Sequence, residues 1–232
     1  MADRIILIEG NICAGKSSMC RYIQQHKNQL YGSNGGDIVL EFVDPPALEE
    51  FYADIPRNTE MYELSCLMNR IARHTMAQRK EGTIVFDRGV IGGAETFCKN
   101  SFNEGHLDDI GFNLYHTILR RAIDRLGKSN QPTWLEQTLV YLQVKDVEVL
   151  QERQRQRPDF KGEVIPAGYL ERINGLYEKF IGNIDTAYGK YGLKAPRVIT
   201  VDGSIDWTQE PDFHEEVFRM ILDSNANSPK PK

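Results

Sequence analysis

A chain of 232 residues is long enough for one large domain with a well-filled core. With 41% hydrophobic and 26% charged residues it has a globular composition, and a net charge of −5 argues against non-specific nucleic-acid or membrane binding as its task. The N-terminal apolar run ends at Ile8, too short for a signal-peptide core or a bilayer span, so a cytoplasmic location is expected. Cys13, Cys20, Cys66 and Cys98 form no Cys-x-x-Cys pair and no metal spacing, and read as reduced thiols.

Ile5-Ile6-Leu7-Ile8 is continuously apolar, the pattern of a strand buried on both faces of a parallel sheet. A Gly-rich turn follows, then a helix over residues 17–30. Residues 38–43 predict a second strand, stopped by Pro45-Pro46. Over 58–80, Met61, Leu64, Met68, Ile71 and Thr75 recur on one helical face. Residues 83–86 predict a third strand, and 89–101 and 107–126 two helices. A fourth strand is expected at 138–144 and a helix at 147–157. A stretch broken by Pro158, Gly162 and Pro166 leads into a long helix from Leu170 to Tyr188. Residues 198–201 predict the last strand and 214–222 the last helix, and the polar tail 225–232 is expected to be disordered. Strands alternating with helices mean an α/β fold: a five-stranded parallel sheet of P-loop NTPase type with helices on both faces, one domain over 1–224.

Four features carry chemistry. Gly10-Asn11-Ile12-Cys13-Ala14-Gly15-Lys16-Ser17, followed by Ser18, fits the Walker A spacing G-x-x-x-x-G-K-[ST] between a strand and a helix. Its glycines let backbone N–H groups face phosphate oxygens, Lys16 reaches the β- and γ-phosphates, Ser17 ligates Mg²⁺, and the helix that starts here adds its positive end. Asp44, at the carboxyl end of the second strand, is placed to accept a proton from an attacking hydroxyl; Glu41 is its rival but reads as mid-strand. Asp87 follows the third strand where a Mg²⁺-holding acid belongs, with Arg88 facing substrate or phosphate. Arg153, Arg155 and Arg157, ahead of a Pro/Gly-broken loop, suit a lid closing on phosphates.

In this order the features resemble the deoxyribonucleoside kinase family over most of the chain, from Ile5 to about Asp202. Ile8-Glu9-Gly10-Asn11-Ile12 with Gly15-Lys16-Ser17-Ser18 is similar to its phosphate loop. Val43-Asp44-Pro45 resembles its Pro-Glu-Pro segment, and Asp87-Arg88-Gly89 its acid-Arg-Ser motif. The arginine cluster with the run from Val164 to Glu171 and with Leu176-Tyr177-Glu178 resembles its lid and following helix, and is the most specific match. The resemblance implies transfer of the γ-phosphate of ATP, with Mg²⁺, to the 5′-hydroxyl of a deoxyribonucleoside. It implies Asp44 as base, Arg88 near the 5′-hydroxyl and the base, and Asp87 on magnesium. Arg153, Arg155 and Arg157 would grip the phosphates. Tyr52 would touch the 3′-hydroxyl together with Glu163, for which Asp159 is a rival. It also implies a homodimer and feedback inhibition by the end-product triphosphate.

Two departures bear on the base pocket. Glu63 stands where the family has a base-binding Gln, on one helical face with Arg70, with which it is placed to pair. Gly93 stands where many members carry an Asp that partners the equivalent of Arg70. The alternative reading is a thymidylate-type nucleoside monophosphate kinase, which needs a further arginine for the acceptor's phosphate; Arg57, Arg70 and Arg73 are available. A GTP-dependent switch is disfavoured because the chain has no Asn-Lys-x-Asp guanine-reading tetrapeptide.

Overall fold

The computed structural model describes residues 2–26, 36–42, 45–77, 80–127, 137–157, 164–205 and 212–226, the side chains of 2, 3 and 222–226 excepted. Five strands, β1 (Ala2–Gly10), β2 (Gly36–Val39), β3 (Gly82–Asp87), β4 (Gln137–Gln143) and β5 (Arg197–Asp202), form one sheet in the order β2-β3-β1-β4-β5. All four pairings are parallel. β1 is therefore central, and its side chains alternate between two cores. Ile5 and Leu7 pack with Leu67, Tyr115, Leu119 and Tyr177; Ile6 and Ile8 pack with Met19, Ile23, Val217 and Phe218. Each such fully buried side chain contributes about 1.5–3 kcal/mol. A strand buried on both faces needs the unbroken apolar run that the sequence shows.

Ten helical segments flank the sheet among the described residues: α1 (Lys16–Gln25), α2 (Pro45–Ala53), α3 (Ile55–Ala77), α4 (Val90–Gly93), α5 (Lys99–Asn103), α6 (Asp109–Gly127), α7 (Val147–Arg155), α8 (Ala167–Gly182), α9 (Ile184–Gly189) and α10 (Asp212–Ala226). A π-helical turn, Ala94–Cys98, joins α4 to α5 without a break. The expected long helix is two, parted at Asn183, whose backbone (φ −124°, ψ 33°) leaves the helical region.

Three expectations need correction. β2 ends at Val39, so Glu41 lies beyond the strand rather than within it. Pro45-Pro46 opens α2 instead of merely stopping β2; the ring's fixed φ and missing N–H cost nothing in a first helical turn. In α3, Met61 and Met68 are exposed at 74% and 54%. The face that α3 buries is Thr59, Glu63, Leu67, Arg70, His74 and Ala77, a more polar stripe. No described helix is long and apolar enough to cross a membrane. α10 runs on to Ala226, through the first two residues of the expected tail.

Candidate active site

The carboxyl ends of β1, β2 and β3 bring the site together. After β1 the chain turns at Gly10, where φ is +150° and a Cβ would lie 2.8 Å from the Leu142 carbonyl, so only glycine fits against β4. Cys13 (φ +61°) and Gly15 (φ +96°) take left-handed conformations, curling the loop into the start of α1. Lys16 is buried, and its ammonium donates to the Asn11 carbonyl at 2.8 Å. Burial pushes its pKa down to about 8, helped by the Arg88 charge and opposed by Asp87, Glu41 and Glu9. Asn11 is tied back to α8: its amide donates to the Leu170 carbonyl at 2.9 Å and to Asn174 Oδ1 at 2.8 Å. Asn11 thus ties the phosphate loop to α8.

The Ser17 hydroxyl donates to Asp87 Oδ2 at 2.9 Å. Asp87 Oδ1 is buried and has no hydrogen-bond partner among the described residues. A buried carboxylate oxygen left open beside a hydroxyl suits a hard cation that takes oxygen ligands.

Asp44 lies outside the described residues. Glu41 instead occupies the centre of the site. Arg88 Nε donates to its Oε2 at 2.9 Å and Oε1 at 3.1 Å, while Arg70 Nη2 and Nε donate to Oε1 at 2.7 and 3.2 Å. Burial alone would raise the Glu41 pKa, but the guanidiniums of Arg88 and Arg70, with Lys16, outweigh it and hold the carboxyl well below its usual range. Glu41 is therefore an ionised acceptor. Arg88 itself sits at φ +70°, costly for a residue with a side chain, and its guanidinium lies 4.3 Å from the Phe97 ring centre. Phe97 comes from the π-helical turn, a local irregularity that aims a side chain into the site.

Arg70 does not pair with Glu63. Its partner is Glu41, and its Nη1 packs where a side chain at residue 93 would stand: a Cβ on Gly93 would lie 2.5 Å from that atom. The bare Gly93 thus leaves room for the Arg70 guanidinium that reaches Glu41. Glu63 is buried and accepts from the Ser101 hydroxyl at 2.9 Å. Burial raises its pKa, only partly offset by Arg70 and the Ser101 hydrogen bond. Tyr52 is 56% exposed on α2, its ring 5.2 Å from that of Phe51.

The arginine cluster divides. Arg153 donates to the carbonyls of Gly203, Ser204 and Ile205 at 2.6 to 3.1 Å, fastening the turn after β5. Arg155 pairs with Glu152 on the surface at 3.1 Å, and Arg157 is exposed beyond the end of α7. The expected grip of three arginines on phosphates thus leaves Arg153 committed to backbone. Asp159 and Glu163 lie outside the described residues. Of the three arginines available for a monophosphate acceptor's phosphate, Arg70 is engaged by Glu41 and Arg73 by the Leu40 carbonyl, while Arg57 is exposed.

Sequence reasoning passed over two buried groups here. Glu9 and Tyr177 are joined by a 3.0 Å hydrogen bond from the tyrosine hydroxyl to Glu9 Oε2. Both stand within motifs quoted for the family resemblance, but neither spacing nor residue type marks them out.

A parallel sheet with a phosphate loop after its central strand and an acid–arginine pair after its neighbour defines a P-loop phosphotransferase. The deoxynucleoside kinase family model matches residues 6–224, and the chain belongs to that family. It is an ATP-dependent deoxynucleoside kinase. It is 21% identical to a probable deoxycytidine kinase of Fowlpox virus (strain NVSL), covering 94% of this chain and 86% of that protein. It is 27% identical to a deoxyguanosine kinase of Dictyostelium discoideum over 77% of this chain and 59% of that one. It is 23% identical to a deoxyadenosine kinase of Lactobacillus acidophilus over 94% of both. Among solved structures, a deoxyadenosine kinase from M. mycoides with bound dATP shares the fold, with a TM-score of 0.70 and 20% identity over 94% of this chain and 99% of that one.

Proposed function

We propose that the chain transfers the γ-phosphate of ATP in line to a deoxynucleoside 5′-hydroxyl, with Glu41 as the general base. The observation that carries this reading is the clamp of Glu41 by Arg88 and Arg70 at the mouth of β2 and β3. An ionised carboxylate fixed by two guanidiniums keeps its remaining lone pairs for a substrate hydroxyl. Arg88, held on that carboxylate, would steady the attacking oxygen and the charge spreading over the transferring group. Lys16 and the backbone of the loop from Gly10 to Ser18 hold the phosphates of ATP. Arg157, exposed beyond the end of α7, is available to reach them.

Ser17 and Asp87 would hold Mg²⁺; the open, buried Asp87 Oδ1 supports that fit. When bound, the ion neutralises phosphate charge and fixes the phosphate geometry. Glu63 and Arg70, on the buried face of α3, would line the nucleobase end, and Tyr52 the sugar. The engagement of Arg70 and Arg73 favours a nucleoside over a nucleoside monophosphate as acceptor. The direct test incubates the protein with Mg-ATP and each of the four deoxynucleosides, then each monophosphate. We expect products from deoxynucleosides; activity confined to monophosphates would sink this reading.

A homodimer fits the surface. Met61, Met68 and Met76 on α3 and Ile110 and Leu114 on α6 are all exposed, an apolar face on two packed helices. A second copy of the chain covers it in our reading, in a cytoplasmic protein. Met68→Glu would place a charge at its centre and is expected to halve the mass measured by sedimentation. An unchanged dimer, or a wild-type monomer, would rule this face out.

A further inference from the structure

We infer that Glu9 and Tyr177 are positioning residues for the transfer step: they fix Arg88 in the orientation in which it holds Glu41. The inference rests on the reading of Glu41 and Arg88 given above.

Glu9 is the last residue before the phosphate loop's first glycine, and it is fully buried at 0% exposure. A carboxyl in that position is costly unless each oxygen is used. Both are. Oε1 accepts the Gly89 backbone N–H at 2.8 Å, and Oε2 accepts the Tyr177 hydroxyl at 3.0 Å. The Tyr177 oxygen in turn accepts from Arg88 Nη1. Arg88 is thus set from two directions by one carboxylate. The bond to Gly89 fixes the backbone immediately after the left-handed turn at Arg88, and the tyrosine fixes the far end of its guanidinium. The near end, Nε, is then presented to Glu41.

The surroundings leave this relay little freedom. The Tyr177 ring stacks on Tyr141 with centroids 5.5 Å apart and meets Phe97 edge-on at 6.4 Å. A Cβ at Gly92 would come within 2.6 Å of Glu9 Oε2, so the helix bends its bare backbone around the carboxyl. The left-handed Arg88 is a strained conformation that persists only where the neighbours over-determine it, and these contacts do so. The chain invests a buried carboxyl, a buried phenol and a side-chain-free helix turn in one arginine's placement. A structural core would use apolar residues for the same volume at less cost.

The test is a double-mutant cycle. Tyr177→Phe removes one hydroxyl and keeps the ring packing. It is expected to lower kcat by about 10–100-fold, the scale of a small misplacement of a catalytic group, with KM for Mg-ATP unchanged. In an Arg88→Lys background, where the fork that Tyr177 orients is gone, the same substitution should cost less than about twofold. Glu9→Gln should behave the same way and, combined with Tyr177→Phe, should fall well short of the product of the two losses. If Glu9→Gln does not fold, the Tyr177→Phe cycle alone decides. Equal losses in both Arg88 backgrounds would mean a merely structural tyrosine and overturn the inference. So would a Tyr177→Phe enzyme at the wild-type rate. If instead Glu41→Gln and Arg88→Lys are themselves silent, the underlying reading of the site has failed, and that outcome is distinct.

Discussion

Replacing Glu41 by Gln is expected to lower kcat by roughly 10²–10⁴-fold, the contribution of a positioned general base, while deoxynucleoside binding persists. Gln keeps the volume and an acceptor oxygen for Arg88 and Arg70 but cannot take a proton. Because Glu41 neutralises two largely buried guanidiniums, its loss also costs stability, at most about 3–5 kcal/mol for a broken buried pair. Kinetics are therefore measured well below the variant's melting temperature, with nucleoside affinity followed separately by calorimetry. Asp44→Asn is the matched comparison, since Asp44 is the acid that motif spacing alone favours. Wild-type kcat in Asp44→Asn with collapse in Glu41→Gln assigns the base to Glu41. The reverse result assigns it to Asp44 and leaves Glu41 as a mere counter-ion.

The contrast between those two acids shows what the sequence could and could not reveal. The five strands and the phosphate loop were legible because each depends on local pattern: short apolar runs, and glycines at the fixed spacing that left-handed turns require. Glu41 was misjudged because strand ends are set by tertiary partners. The β-branched pattern runs to Val43, but the pairing with β3 stops at Val39, and two arginines from distant elements draw Glu41 out of the sheet. The stripe of α3 was misread for a related reason. Met61 and Met68 satisfy helical periodicity as well as any core residues, yet they lie on an exposed apolar face, which periodicity cannot tell from one turned to the core. The functional face carries Glu63 and Arg70, which periodicity counts as surface. Glu9 and Tyr177 were invisible for the deepest reason: their roles rest on contacts spanning 168 and 80 residues of sequence.

The largest remaining effect concerns Lys16. Substitution by Met, which fills similar volume without charge, is expected to cost roughly 10²–10³-fold in kcat, the scale of losing one preorganised donor to a developing anion. A subtler signature follows from its burial. In the nucleotide-free enzyme the ammonium loses its proton near pH 8, since desolvation and the neighbouring Arg88 outweigh Asp87, Glu41 and Glu9. Only the protonated form attracts the phosphates. As kcat/KM reports the free enzyme, kcat/KM for Mg-ATP should hold level below about pH 8 and fall tenfold per pH unit above it. Bound nucleotide brings negative charge to Lys16 and raises its pKa, so kcat measured at saturating Mg-ATP should decline only at higher pH. Lys16→Arg supplies the control. A guanidinium stays charged throughout the range, so whatever its absolute rate, this variant should lack the alkaline limb. A limb that survives in Lys16→Arg belongs to another group, and a wild-type profile level to pH 10 would show that Lys16 keeps its proton in the free site.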